Sequence, residues 1–217
     1  MTIQGVVFDL DGTLIDSTDA IVASMFHMFD ELSLDRPPRE AIIDSIGVVL
    51  EKQIATMTDH DPIEGARVYR AHYGETAPKK TVALPGARDA LQVLADAGLS
   101  LGFATSKRRS YAQVILDHLE LLDFFTARVG PDDVTNHKPH PEPIELAASQ
   151  LGIEPGAMLY VGDLPIDHQA ATAAGAACVC VTTGYASRTE LESAGVAHVF
   201  DGLTDVADHI LQRNVTD

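Results

Sequence analysis

The chain has 217 residues, 46% of them hydrophobic, and its 32 acidic residues outnumber 15 Lys and Arg for a formal charge of −17. That apolar content supplies a sizeable core and excludes a disordered chain, while the acidic balance disfavours nucleic acid and anionic membranes as partners. No apolar run approaches the roughly 18 residues of a membrane span, and no basic and apolar leader precedes the first strand, so a cytoplasmic protein is expected, as monomer or homodimer.

The first element lies in GVVFDLDGTLIDS, Gly5 to Ser17. Val6, Val7 and Phe8 form a continuous apolar run, the mark of a buried strand, read here as Gly5–Asp9. Asp9 and Asp11 follow, then Gly12 and Thr13. Residues two apart on a strand point the same way, so both carboxylates face one spot, where they repel unless a cation or a proton intervenes.

Ser17 to Leu32 is predicted as a helix. Ile21, Val22, Met25, Phe26, Met28, Phe29 and Leu32 keep helical spacing, with Asp16 and Ser17 as capping residues. Pro37-Pro38 breaks the chain. Shorter helical patterns follow at Arg39–Ser45, Leu50–Met57 and Ile63–His72, and nothing between Asp16 and Lys80 reads as a strand.

After Leu84-Pro85-Gly86 the pattern alternates. Predicted helices at Ala87–Ala97, Tyr111–Leu119, Pro143–Leu151, Ile166–Ala174, Arg188–Ser193 and Leu203–Gln212 interleave with strands at Leu99–Thr105, Ala127–Val129, Met158–Val161, Ala177–Val181 and His198–Phe200. This alternation indicates βαβ units and an α/β fold with a Rossmann-like parallel sheet. Residues 1–15 and 82–217 form the core domain, and 16–81 an inserted all-helical cap. Cys178 and Cys180, two apart on one strand, read as buried strand residues rather than a disulfide or metal pair.

Ligands of open parallel sheets bind at the carboxyl ends of the strands. There the topology gathers Asp9 and Asp11, then Thr105 and Ser106, Lys138 in the following loop, and Asp163 and Asp167 past another strand. Several carboxylates around one point suit a hard divalent cation, Mg²⁺ first.

Asp9-Leu-Asp11-Gly-Thr13, Thr105 at a strand end, Lys138 in HKPHPEP and Gly162-Asp163-x-x-x-Asp167 together resemble the four motifs of the haloacid dehalogenase-like superfamily. The resemblance covers the whole chain and is strongest to phosphoglycolate phosphatase-like members with a helical cap. It implies a phosphatase for small phosphorylated metabolites, with Asp9 as nucleophile and Asp11 as general acid and base. Mg²⁺ would be held by Asp9, the backbone carbonyl of Asp11, and Asp163. Thr105, Ser106 and Lys138 would bind the phosphoryl group, and Asp167 would support the metal from one step out. Thr13 is split between a site residue and a loop brace. Lys107 is a further substrate contact, and Gly47 lies in a cap turn that would close on the ligand.

The same motifs serve other chemistries. An inorganic pyrophosphatase, a sugar-phosphate phosphatase and a phosphomutase share them; the mutases tend to carry an acidic pair where this chain has Gly162-Asp163. The acid at Asp11 disfavours dehalogenation. A non-catalytic binding protein is disfavoured because both Asp9 and Asp11 are present.

Overall fold

The computed structural model describes residues 3–216, with side chains to 213. The apolar run Val6–Phe8 is fully buried in strand β1 (Gly5–Phe8), from which the chain passes through a short strand β2 (Ile15–Asp16) into four helices. These are α1 (Thr18–Glu31), α2 (Arg39–Ile43), α3 (Leu50–Ala55) and α4 (Pro62–Lys80). Strand β3 (Val82–Ala83) then returns antiparallel to β2, Ile15 opposite Ala83 and Asp16 opposite Val82. The sequence gives no sign of this two-stranded neck. Two residues per strand are too few for an alternating pattern, and the pairing is non-local.

The remainder alternates as expected. Helix α5 (Ala87–Asp96) leads to β4 (Ser100–Ala104), α6 (Arg109–His118), β5 (Ala127–Val129), α7 (Glu142–Leu151), β6 (Met158–Gly162) and α8 (Pro165–Ala173). Then come β7 (Ala177–Val181), α9 (Arg188–Ser193), β8 (Val199–Phe200) and α10 (Leu203–Thr216). The six-stranded sheet has the order β5-β4-β1-β6-β7-β8, and its neighbouring strands all pair in parallel. From β1 the chain fills one side of the sheet and then crosses to the other, so β1 and β6 border the switch point where such sheets bind ligands.

Alternate residues of β1 serve opposite faces. Val6 and Phe8 join one buried cluster with Leu101, Phe103, Leu159 and Val161. Val7 joins another with Val129, Tyr160 and the α7 and α8 residues Ala148 and Ala170. The helical insert shares the first cluster through Met25, Phe29, Ile54 and Tyr73, so its base is continuous with the core.

Helix α4 runs eight residues past the predicted end at His72, through Gly74 and Pro78 to Lys80. Buried Tyr73 and Ala77 hold this last stretch against neighbouring helices, and tertiary packing outweighs two poor helix formers. Cys178 and Cys180 are free thiols on β7. No helix among the described residues is long and apolar enough to cross a membrane.

Candidate active site

Loops leaving β1, β4, β5 and β6 at their carboxyl ends bring the predicted residues to one region. Asp9, Thr105, Lys138, Asp163 and Asp167 are all buried. One carboxylate oxygen from each of Asp9, Asp163 and Asp167 lies within 4.8 Å of the other two. The Lys138 ammonium stands 2.6 Å from Asp167 Oδ1 and 3.2 Å from Asp9 Oδ1. It also donates to the Tyr160 hydroxyl at 3.2 Å, which in turn donates to the Ala104 carbonyl at 2.6 Å. Three buried carboxylates thus share one ammonium. With all three ionised, the deficit is two charges.

Burial, with that deficit added to it, sets the titration shifts. Burial raises the Asp9 carboxyl to about 6; Lys138 pulls it down, while Asp167 and Asp11 push it up. Burial also drives Asp163 well above the carboxylate range, and Asp167 and Asp9 add to the effect. For Lys138 burial opposes the charge, but Asp167 and Asp9 outweigh it and hold the ammonium above its ordinary value. Asp9 and Lys138 therefore shift in the same direction. Burial explains it: it outweighs the pull of Lys138 on Asp9, while the lysine, closer to Asp167, is held up by two carboxylates.

Hydrogen bonding sorts the carboxylates further. Asp167 is well supplied: Oδ2 accepts from the Asp163 and Leu164 amides at 3.2 and 3.1 Å, and Oδ1 accepts from Lys138. Asp163 takes one donor on each oxygen, Thr13 Oγ1 and the Tyr185 amide, both at 3.0 Å. Its loop is fitted closely enough that a Cβ on Gly184 would fall 2.0 Å from Asp163 Oδ2. Asp9 Oδ1 is buried and, apart from the Lys138 ammonium 3.2 Å away, has no polar partner. Asp9 and Asp163 accordingly keep lone pairs free, and an oxygen donor set of this kind fits a hard divalent cation.

Asp11 is held apart from the cluster. Ser17 Oγ donates to its Oδ1, and the Lys107 ammonium lies 3.1 Å from its Oδ2. Ser17 stands at the N-cap position of α1, yet its hydroxyl makes no capping bond, contrary to the capping expectation; Asp16 Oδ1 accepts from the Thr18 amide instead. The acid that turns the chain into the insert is Asp16, and Ser17 is freed to position Asp11.

The loop after β4 reaches across to the insert. Ser106 Oγ donates to the Gly47 carbonyl at 2.7 Å, so this hydroxyl, expected on phosphate, is engaged with the insert. Thr105 Oγ1 accepts from the Lys107 amide at 3.2 Å. Gly47 has φ +111°, a conformation that side chains avoid, and a Cβ there would meet Leu164 Cδ1 at 2.2 Å. Lys107 donates to the Tyr73 hydroxyl at 2.5 Å and lies 4.7 Å from the centre of that ring. Tyr69 stacks on Tyr73 from the preceding turn of α4, and Tyr111 meets it edge-on. Between these walls lies a cavity of about 430 Å³, lined from the core by Asp9, Asp11 and Thr105 and from the insert by Tyr69 and Tyr73.

The chain matches the family model of haloacid dehalogenase-like hydrolases over residues 6–181. It belongs to that family. A phosphoglycolate phosphatase of Salmonella typhimurium is 38% identical over 208 residues, covering 84% of this chain and 82% of that protein. One from Escherichia coli is 35% identical with the same coverage. Among solved structures, a haloacid dehalogenase-like hydrolase from Bacteroides fragilis superposes with TM-score 0.89 at 27% identity, over 94% of this chain and 100% of the other. These relationships bear out the α/β fold and the phosphatase class.

For this hydrolase, sequence reasoning missed Ser17, Tyr73 and Tyr185. Tyr185 donates its amide to Asp163 and exchanges a 3.1 Å hydrogen bond with Thr18 at the start of α1. Only the Tyr69–Tyr73 spacing on one helix face could have hinted at the aromatic wall. Ser17 and Tyr185 have no motif, because their partners lie on other elements.

Proposed function

We propose that this haloacid dehalogenase-like phosphatase hydrolyses a small phosphomonoester of the phosphoglycolate type through an aspartyl-phosphate on Asp9. The observation that carries the reading is the buried Asp9 oxygen, met only by a lysine and beside two further carboxylates, at the floor of a small roofed cavity. An oxygen met only by an ammonium in a polar cavity keeps lone pairs for a phosphorus atom or a cation.

In the first step an Asp9 oxygen forms a bond to phosphorus as the bond from phosphorus to the leaving oxygen breaks. Asp11, oriented by Ser17 and Lys107, gives its proton to that oxygen. In the second step Asp11 takes a proton from water as the water oxygen bonds to phosphorus and Asp9 is released. Lys138 and Thr105 bind the phosphoryl oxygens as charge shifts during both transfers. Mg²⁺, held by Asp9, Asp163 and the Asp11 carbonyl, would neutralise the carboxylates and polarise the phosphoryl group. Asp167 fixes Lys138 and the Asp163 loop. Residues 16–81 act as a cap over the core formed by 1–15 and 82–217, admitting small metabolites and excluding water during the reaction.

The size of the cavity and the relatives named above support a small ester, and the acidic surface argues against nucleic acid. A purified-enzyme screen against phosphate metabolites, with Mg²⁺ and with EDTA, tests the proposal. Phosphate release from phosphoglycolate that stops in EDTA and returns with Mg²⁺ is expected. Isomerisation of a sugar phosphate with little free phosphate, or preference for pyrophosphate, would replace it.

A further inference from the structure

Lys138 is locked between two aspartates, and the Arg70 guanidinium pairs with Glu51 at 2.6 Å. Lys107 differs from both. Its side chain is only 7% exposed, and its ion-pair partner is the acid that faces the leaving group, Asp11. We propose that Lys107, with Tyr73 beside it, is the specificity-determining subsite for a carboxylate on the leaving alcohol. This rests on the phosphatase reading above and adds to it the residue that selects the substrate.

The geometry fixes the assignment. If Asp11 protonates the leaving oxygen, that oxygen comes within hydrogen-bond reach of the Asp11 carboxyl, whose Oδ2 is 3.1 Å from Lys107 Nζ. A carboxylate two covalent bonds beyond the ester oxygen then falls beside the same ammonium. Lys107 projects from the residue after Ser106, whose hydroxyl ties this loop to Gly47 of the insert, so its position is set by closure of the two parts. The ammonium lies against the Tyr73 ring, in surroundings drier than bulk water, where an ion pair discriminates more strongly between a charged and a neutral leaving group. Burial holds the Tyr73 phenol well above its ordinary value, so it stays protonated.

A second observation points the same way. Arg70, one turn before Tyr73 on α4, also lines the cavity, and its Nε is buried with no hydrogen-bond partner. Beyond its Glu51 ion pair, Arg70 thus keeps one buried donor that no described residue uses, on the wall that also carries Tyr73. On a protein of charge −17, Lys107 and Arg70 are cations in the cavity lining that an ester carrying both phosphate and carboxylate would meet.

The test compares kcat/KM for phosphoglycolate and 2-hydroxyethyl phosphate, which have the same heavy-atom chain up to a charged or a neutral end. The wild-type enzyme is expected to prefer the carboxylate ester. In Lys107→Met that preference should fall at least about 30-fold, chiefly through KM for phosphoglycolate, and Lys107→Arg should retain most of it. An unchanged ratio in Lys107→Met, with both substrates losing rate alike, would assign Lys107 to Asp11 alone and overturn the proposal. Equal wild-type use of the two esters would overturn it and leave the phosphatase reading standing. Failure of the wild type on every phosphomonoester would remove both. If Lys107→Met does not fold, competitive inhibition of the wild type decides: 3-phosphonopropionate should bind at least about tenfold tighter than propylphosphonate, and equal inhibition counts against the subsite.

Discussion

The two walls of the cavity are built on different physics. The sheet side is one electrostatic unit: Asp9, Asp163, Asp167 and Lys138 are buried together at strand ends, with Asp167 well supplied with donors and Asp9 left short of them. The insert side is a seam of single contacts, Ser106 to Gly47 and Lys107 to Tyr73, over an aromatic surface. Charge is concentrated where bonds would break, and adaptable contacts lie where the ligand enters. A site divided this way can keep its chemistry while the insert changes what it admits.

The sharpest way to break the comparison is to remove the nucleophile from the rigid side. Asp9→Asn keeps the shape but loses both the attacking oxygen and a cation ligand, so kcat should drop by at least about 10³-fold with the far-ultraviolet spectrum unchanged. Near-normal turnover would end the covalent mechanism.

Lys138→Met tests whether the sheet side is one electrostatic unit. It strips the cation from two buried aspartates, and the expected loss is about 3–5 kcal/mol of folding stability in urea at pH 8. The loss should shrink at pH 5 as the stranded carboxyls take up protons. A variant as stable as the parent at pH 8 would mean that the aspartates do not depend on this lysine.

On the adaptable side the effects should be milder. Gly47→Ala places a methyl against Leu164 in a positive-φ conformation, hindering the seam without touching the sheet residues. A rise in KM of about tenfold, with kcat changed less, is expected from steady-state kinetics. An equal fall in kcat would show that the turn also shapes the chemistry.

The smallest effect concerns pH and metal together. Asp9 has an ordinary value of 3.8 and a folded value of about 6, so without metal its contribution to stability is fully present below pH 3.8 and is lost as pH rises through about 6. A divalent cation that binds the ionised form should counter that loss. Calorimetry should therefore find that Mg²⁺ raises Tm by a few degrees more at pH 7.5 than at pH 5. Equal stabilisation at both pH values would argue against metal binding at Asp9.

The sequence by itself determined the layered α/β architecture, the helical insert and the four strand-end motifs. Each is local: apolar runs and helical spacing are read over a few residues, and a parallel sheet brings its carboxyl ends together by topology. The same logic made Asp9, Lys138 and Asp163 legible as neighbours before any coordinate. Tertiary structure alone decided the partnerships. Ser17 sits where a cap belongs, yet its hydroxyl turns to Asp11, and Ser106 bonds to Gly47, 59 residues away. Helix α4 continues through Gly74 and Pro78 because Tyr73 and Ala77 are buried there. Lys107 is expected from the sequence as a substrate contact, but its setting comes from a phenol 34 residues earlier in the chain. Hydrogen bonds between distant elements have no period and no spacing, so they become visible only when the sheet and the insert have closed on each other.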